Sequence, residues 1–482
     1  MFAMRNALLL SLALPVLGGL HLVQRDSPAV VSLDIQRKHV ADPVARDRAR
    51  RKRDLTVSET LLNEGTLYYC NVSLGTPQQD LRLVIDTGSS DLWCNTPSSA
   101  LCKSHGDPCR ATGSGTYDSS SSSSYSLVSD NFNITYADGS GAVGDYVTDT
   151  LHIGGTTLHN FQFGVGLSSG SAEGVLGIGY PANEVQVGRN GQSAYANLPK
   201  AMVQKGLIKS SAYSLWLNDL DANTGSILFG GVNTEKYQGT LETLPIQKVG
   251  GVYAEFVIAL TEVGVKTSSG HRNYSSNALP AAVLLDSGSS LTYLPTAIVR
   301  DIYEELDVLY EPSSGVGYVP CSMAEDDITF AYTFSSPTIN VGIKELVMDS
   351  GEDLHFSNGK SACTFGIVPA GDSTCVLGDT FLRSAYVVYD LANNEISLAN
   401  TRFNTAGGKV VEIGTGDDAV PSATAVSHPV TTVGAEGPGA RLGQPQGSGS
   451  LGSLTSNAAA VPTGMPNHVA LGLIGAGYLL AL

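Results

Sequence analysis

Two carboxylates stand out for where they sit. Asp86 ends the run Leu83-Val84-Ile85 and is followed by Thr87-Gly88-Ser89-Ser90. Two hundred residues later Asp286 ends Val283-Leu284-Leu285 and is followed by Ser287-Gly288-Ser289-Ser290. An acid at the end of a buried run is costly to ionise unless donors surround it. The hydroxyl residues after each Asp supply such donors, and the glycine lets the backbone turn close to the carboxylate. The chemistry open to two such acids is proton transfer: one takes a proton from water while the other gives one to a carbonyl oxygen.

The elements that must position them read as short strands buried on both faces. A second motif repeats at nearly the same offset. Gly174-Val175-Leu176-Gly177 follows the first Asp, Cys375-Val376-Leu377-Gly378 the second, and the Asp-to-Gly spacings are 91 and 92 residues. One Asp-x-Gly alone is more often an Asx turn. Two motifs recurring together at one spacing read as two fused, diverged copies of one folding unit. If the copies pack about a pseudo-twofold axis, Asp86 and Asp286 face each other across it. Carboxylates that close cannot both ionise, so they share a proton and titrate as a pair.

Ile85-Asp86-Thr87-Gly88-Ser89-Ser90-Asp91-Leu92-Trp93 and Leu285-Asp286-Ser287-Gly288-Ser289-Ser290 resemble the two signatures of the pepsin-like aspartic proteases. The layout around them resembles the fungal, surface-anchored, yapsin-like branch. The match covers roughly residues 60 to 404, with several motifs in the right order. It implies an all-β, bilobal fold with pseudo-twofold related lobes, a cleft between them, and peptide hydrolysis with no cofactor and no metal. It also implies that Thr87 and Ser287 brace the two turns and that Ser89 and Ser289 hydrogen-bond the carboxylates. Ser287 stands where the family usually has Thr, and serine keeps the hydroxyl. Asn133-Ile134-Thr135-Tyr136-Ala137-Asp138-Gly139-Ser140-Gly141 reads as a β-hairpin with a glycine-rich tip. By resemblance it is the flap over the cleft, with Tyr136 against the substrate, Trp93 beneath it and Gly139 at the tip. Asp138 is linked by the same resemblance to a preference for Lys or Arg before the scissile bond. A tyrosine beside a turn is more often plain packing; its place relative to Asp86 and Trp93 favours the functional reading.

Composition fits this. Charged residues are 15% of 482, glycine is abundant at 54, and Ser/Thr clusters punctuate short apolar stretches, as in an all-β protein with many turns. The formal charge is −17. Residues 1–53 hold 10 basic and 4 acidic residues, which leaves 18 and 41, a formal −23, in the remainder. Phosphate binding needs basic surface, so a nucleic-acid partner is not expected. An acidic surface suits work at low pH and attracts cationic substrates.

Along the chain, Arg5, the apolar run Ala7–Leu17 and Gly18-Gly19 read as a secretory signal over residues 1–19, too short to span a bilayer. Residues 20–53 are polar and basic and end in Arg50-Arg51-Lys52-Arg53, against the alternative of a solvated charge run. They read as a propeptide cut after Arg53 by a kexin-like protease, basic enough to lie against an acidic cleft. The first lobe is placed at 54–240 and the second at 241–404. Cys102 is expected to pair with Cys109, and Cys321 with Cys363. Seven cysteines leave one over. A third bridge from Cys70 to Cys94 would make it Cys375; the sequence leaves those three open. Short helices are expected around Tyr195–Val203 and Thr296–Tyr310. A strand is expected over Phe381–Asp390, and strands joining the lobes around Leu228–Val232 and Gly239–Leu241.

From 405 to 457, Gly, Ser, Thr, Pro and Ala dominate, which reads as an O-glycosylated stalk. Fourteen mostly apolar residues, Val469–Leu482, close the chain behind a polar spacer. This is the layout of a GPI-attachment signal over 458–482 with Asn457 as acceptor, and the run is short for a transmembrane helix. The anchor places the protein on the outer face of the plasma membrane or in the cell wall, as a monomer. Asn71, Asn133 and Asn273 begin glycosylation sequons. Three rival readings remain. Gly166-Leu167-Ser168-Ser169-Gly170 matches a serine nucleophile elbow, but the glycine-rich segment after it is a poor helix. A glycosidase would need its carboxylates farther apart. A catalytically idle peptide or wall-polymer binder would have no need of two intact Asp-x-Gly turns.

Overall fold

The structure is a computed structural model. It describes residues 28–38, 67–433 with short interruptions (137–139, 191, 223, 275, 313–314, 350–353, 372 and 432), and 455–456. Asp138, Gly139, Arg53, Asn457, the expected signal and the expected GPI signal lie outside the described residues. The architecture is nearly all strand. A 14-stranded sheet runs through both halves of the chain, and smaller sheets complete the second half.

The repeated sequence motifs fold into repeated strand sets. In the first half, strand Gln79–Asp86 runs parallel to Val175–Gly177, placing Val84 opposite Val175 and Asp86 opposite Gly177. Strand Leu92–Asn95 then returns antiparallel on the far side of Val175–Gly177. In the second half Ala281–Leu285 runs parallel to Cys375–Leu377, and Thr292–Leu294 returns beside it. Each carboxylate thus leaves the end of a strand whose neighbour is the second motif. The glycines after those apolar runs are steric requirements. A Cβ on Gly177 would lie 2.6 Å from the Ser90 amide nitrogen, and one on Gly378 would lie 2.3 Å from the Ser289 carbonyl oxygen.

The middle of the large sheet joins the halves. Ala385–Asp390 pairs with Ala212–Trp216, and Tyr237–Pro245 pairs with Glu395–Thr401. The apolar core is continuous across this seam, because Tyr213, Phe229, Phe256 and Tyr389 pack together from both halves.

Several expectations shift. Val31–Lys38, inside the expected propeptide, is a strand between Thr224–Phe229 and Leu67–Leu74. Its period-two pattern buries Val31, Leu33 and Ile35, so this part of the segment belongs to the sheet rather than to a plug over the cleft. The stretch expected as stalk from 405 is folded at its start. Val410–Glu412 pairs with Gly231–Asn233, and Ala423–Ala425 lies parallel to Tyr237–Pro245. Buried Ile413 and Val420 hold this stretch, a signal too sparse to show through its Gly/Thr composition. Asp379–Leu382 is one helical turn, and the strand expected from Phe381 starts at Ala385. The second helix stops at Glu305, where Asp307 adopts φ 53°, and Leu309 opens a strand instead.

The disulfides Cys102–Cys109 and Cys321–Cys363 are present. Cys70, Cys94 and Cys375 are buried and lie outside both disulfides, so the third bridge does not form. Cys70 lies opposite Leu83, and the strand register carries Leu83 to Gly174 and Gly174 to Cys94. Two strands therefore separate the thiols, about 14 Å at the usual strand spacing, beyond disulfide reach.

Candidate active site

The two Asp-x-Gly turns meet at the seam between the halves. Each closes in the same way. The Gly88 amide donates to Asp86 Oδ1 at 2.8 Å and Ser89 Oγ to Oδ2 at 2.6 Å. The Gly288 amide donates to Asp286 Oδ1 at 2.8 Å and Ser289 Oγ to Oδ2 at 2.6 Å. Both carboxyls are buried, Asp86 at 2% exposure and Asp286 at 9%, so these bonds compensate what water would otherwise supply.

The turns also grip each other. Thr87 Oγ1 donates to the Leu285 carbonyl at 2.9 Å, and Ser287 Oγ to the Ile85 carbonyl at 3.0 Å. Each hydroxyl in turn accepts the backbone amide of the opposite residue. The facing of the acids follows from their glycines. A Cβ on Gly88 would sit 2.6 Å from Asp286 Oδ1, and one on Gly288 would sit 2.5 Å from Asp86 Oδ1. Each turn thus leans its bare glycine against the other carboxylate. Two acids held this way can share one proton across the axis and hold a water between them, the arrangement needed for acid–base hydrolysis.

A hairpin is tied to the strand that follows the first turn. Ser126–Thr135 and Gly141–Ile153 form an antiparallel hairpin, with the Tyr136 amide donating to the Ser140 carbonyl at 2.8 Å. Buried Trp93 donates from Nε1 to the Tyr136 hydroxyl at 2.7 Å, tying the hairpin to the strand after the first turn. The serine-elbow sequence lies in strand Thr156–Ser169 with no helix following it.

Sequence reasoning missed the support behind the first turn. Asp91 is fully buried. Its Oδ1 accepts from Tyr146 at 2.7 Å and Tyr195 at 3.0 Å, and its Oδ2 from the Val185 amide at 2.9 Å. Burial pushes its carboxyl up from the usual range. Glu184, also buried, is pushed up to about 9, first by burial, with the Asp91 charge adding to it. Asn183 donates from this segment to the Gly88 carbonyl at 3.3 Å. In the second lobe, fully buried Arg383 donates to the Glu345 carboxylate and to its carbonyl. The signal available was a charged residue inside an apolar stretch, which alone does not separate a support from a surface turn. Among the described residues no group of three or more His, Cys, Asp or Glu is placed to hold a metal ion, and no helix is long and apolar enough to cross a membrane.

Comparison with known proteins gives the family. The family model described as "Eukaryotic aspartyl protease" covers residues 67–401. A protein of Aspergillus oryzae named "Probable aspartic-type endopeptidase opsB" is 68% identical over 96% of both chains. Its Aspergillus fumigatus namesake is 64% identical over 96% of both. "Aspartic proteinase yapsin-3" of Saccharomyces cerevisiae is 35% identical over 73% of this chain and 69% of its own. The crystal structure of an aspartic proteinase from Irpex lacteus shares the fold, with TM-score 0.57 and 20% identity over 78% of this chain and all of that one. The chain, an aspartic-type endopeptidase, belongs to the eukaryotic aspartyl protease family.

Proposed function

We propose that the enzyme works at acidic pH on the outer face of the cell, with Asp86 and Asp286 as its catalytic pair and a preference for basic residues before the scissile bond. The observation that carries the catalytic assignment is the mirrored clasp of the two turns, each glycine against the opposite carboxylate. The ionised member takes a proton from water, whose oxygen attacks the scissile carbonyl. The protonated member donates to the carbonyl oxygen. The proton held by the first then passes to the departing amine as the C–N bond breaks, the other carboxylate takes a proton back from a hydroxyl of the tetrahedral carbon, and the pair returns to one shared proton. Only the singly protonated pair does this, so activity falls on both sides of an acidic optimum.

Other features support the setting. Two disulfides and the exposed sequon asparagines Asn71 and Asn273 fit an oxidising, glycosylating route. On this reading residues 1–19 direct secretion, a kexin-like protease cuts after Arg53, and Asn457 receives a GPI anchor that fixes a monomer at the membrane or wall. Tyr136 closes over the peptide, Trp93 holds it, and Asp138 faces the cationic residue of the substrate.

The test is a mixed peptide pool incubated across pH with the protein cleaved after Arg53, strand Val31–Lys38 kept in its sheet, and with Asp286→Asn. A bell-shaped acidic profile, blocked by pepstatin but not by organophosphates or chelators and absent in the variant, is expected. Turnover that climbs steadily into alkaline pH, or survives in Asp286→Asn, contradicts the assignment. Detection of the protein in a phospholipase-releasable surface fraction checks the anchor.

A further inference from the structure

A third carboxylate stands beside Asp286, at a position whose counterpart in the first lobe is apolar. Strand Val257–Leu260 runs antiparallel to Ala281–Leu285, with Val257 opposite Leu284. The Leu285 amide donates to the Phe256 carbonyl at 3.2 Å, so the register continues past the strand end. One step further it sets Glu255 opposite Asp286. Residues directly opposite in an antiparallel pair share a face with Cβ atoms about 5 Å apart. The Glu255 side chain therefore emerges on the face that carries Asp286 toward the cleft.

The first lobe does not do this. There Tyr69 lies opposite Val84, and the same extension sets Leu67 opposite Asp86. Leu67 is fully buried against Tyr69, Val84 and Trp93. At one pseudo-equivalent position the chain thus has an apolar plug beside one acid and a carboxylate beside the other. Glu255 is half-buried and, among the described residues, has no hydrogen bond or ion pair. Burial, and after it the charge of Asp286 just past the facing strand, raise the Glu255 carboxyl to about 7. Lys248, on the same loop, lies over the Tyr253 ring. A partly desolvated acid with no cation of its own lacks what a basic substrate side chain would bring.

We infer that Glu255 is a specificity-determining residue of the cleft, receiving the ammonium or guanidinium of a substrate Lys or Arg on the second-lobe side of the scissile bond. This rests on peptide hydrolysis at the Asp86–Asp286 pair, but not on the role given to Asp138. A cation entering the site favours the ionised carboxyl, so a proton leaves as the substrate binds. The advantage of a basic over an apolar residue at that position then grows as pH rises from about 4 toward 7.

The experiment scans Lys, norleucine and Ala through each position on both sides of one scissile bond. It measures kcat/KM at several acidic pH values for the wild-type enzyme, Glu255→Gln, Glu255→Asp and Asp138→Ser. Thermal unfolding is followed in parallel. Expected is one position where the Lys-to-norleucine ratio falls about ten- to a hundredfold in Glu255→Gln, the scale of a charge-assisted hydrogen bond. The pH slope of the ratio should vanish with it. Glu255→Asp should recover part of both, and Asp138→Ser should move a different position. Unchanged ratios at every position in a folded Glu255→Gln overturn the inference, whatever Asp138→Ser does. So does a Glu255→Gln that loses Lys and norleucine peptides equally, which would make it a support of the pair. A wild-type enzyme with no basic preference anywhere overturns both specificity assignments. No peptide hydrolysis at all by the wild type would instead overturn the catalytic assignment beneath them.

Discussion

Thr87 and Ser287 each reach across the lobe boundary, Thr87 Oγ1 to the Leu285 carbonyl and Ser287 Oγ to the Ile85 carbonyl. Each hydroxyl also accepts the other residue's amide, so removing either leaves two buried backbone groups unpaired. Thr87→Ala and Ser287→Ala should each cost about 2–4 kcal/mol, the usual penalty for such orphans. Because the bonds form one network, the double variant should cost less than the sum. Ser287→Thr keeps the hydroxyl and should stay within about 1 kcal/mol of the wild type. Urea unfolding of the four variants beside the wild type checks this.

The bare glycines of the two turns should show their role in rate rather than stability. Adding a methyl at Gly88 or Gly288 sets a Cβ within 2.6 Å or 2.5 Å of the opposite Oδ1, and the carboxylate is the part able to move. A displacement near 1 Å in a reacting group costs about a hundredfold in rate. Gly88→Ala and Gly288→Ala should therefore lose about two orders of magnitude in kcat with little change in KM. Steady-state kinetics on a single peptide decides it. A variant with wild-type kcat would mean the turns do not set the distance between the acids.

Much of the site is legible in sequence because its signals are local. The apolar run that buries Asp86, the hydroxyls that donate to it and the glycine that turns the chain all lie within eight residues. The pairing of Asp86 with Gly177 is legible because it occurs twice at one spacing. What stays illegible is non-local or hidden by composition. Nothing near Cys70 or Cys94 announces the two strands between them. The alternation in Val31–Lys38 sits inside a basic segment whose charge points elsewhere. Glu255 is silent in sequence, because its position beside Asp286 depends on a register continuing past the strand end.

The thiols outside the disulfides give a direct check on that strand order. Burial raises the Cys70 thiol to about 12 and raises Cys94 as well, so neither should react in the folded protein at neutral pH. Alkylation should label no cysteine in the native protein and three of seven after unfolding without reductant: Cys70, Cys94 and Cys375. Peptide mapping that finds only Cys375 labelled would place Cys70 and Cys94 in a bridge and contradict the sheet order.

The carboxyls behind the first turn should make the fold itself acid-loving. Glu184 is held up to about 9, chiefly by burial, against about 4.3 in an unfolded chain. Below about pH 4 both states carry the proton and the residue contributes no pH dependence. Between about 4 and 9 the unfolded chain releases that proton while the folded one retains it, so stability falls as pH rises. Each pH unit spent between those two values costs about 1.4 kcal/mol, so the loss across the window amounts to several kcal/mol. Asp91, pushed in the same direction, adds to the slope. Glu184→Gln keeps an acceptor for the Tyr195 amide, which Glu184 Oε2 now receives at 2.8 Å, and removes the titration. Its unfolding free energy should decline less steeply from pH 5 to pH 8 than that of the wild type, with the two curves closest at the acid end. Parallel curves would show that the pH sensitivity resides elsewhere in the fold.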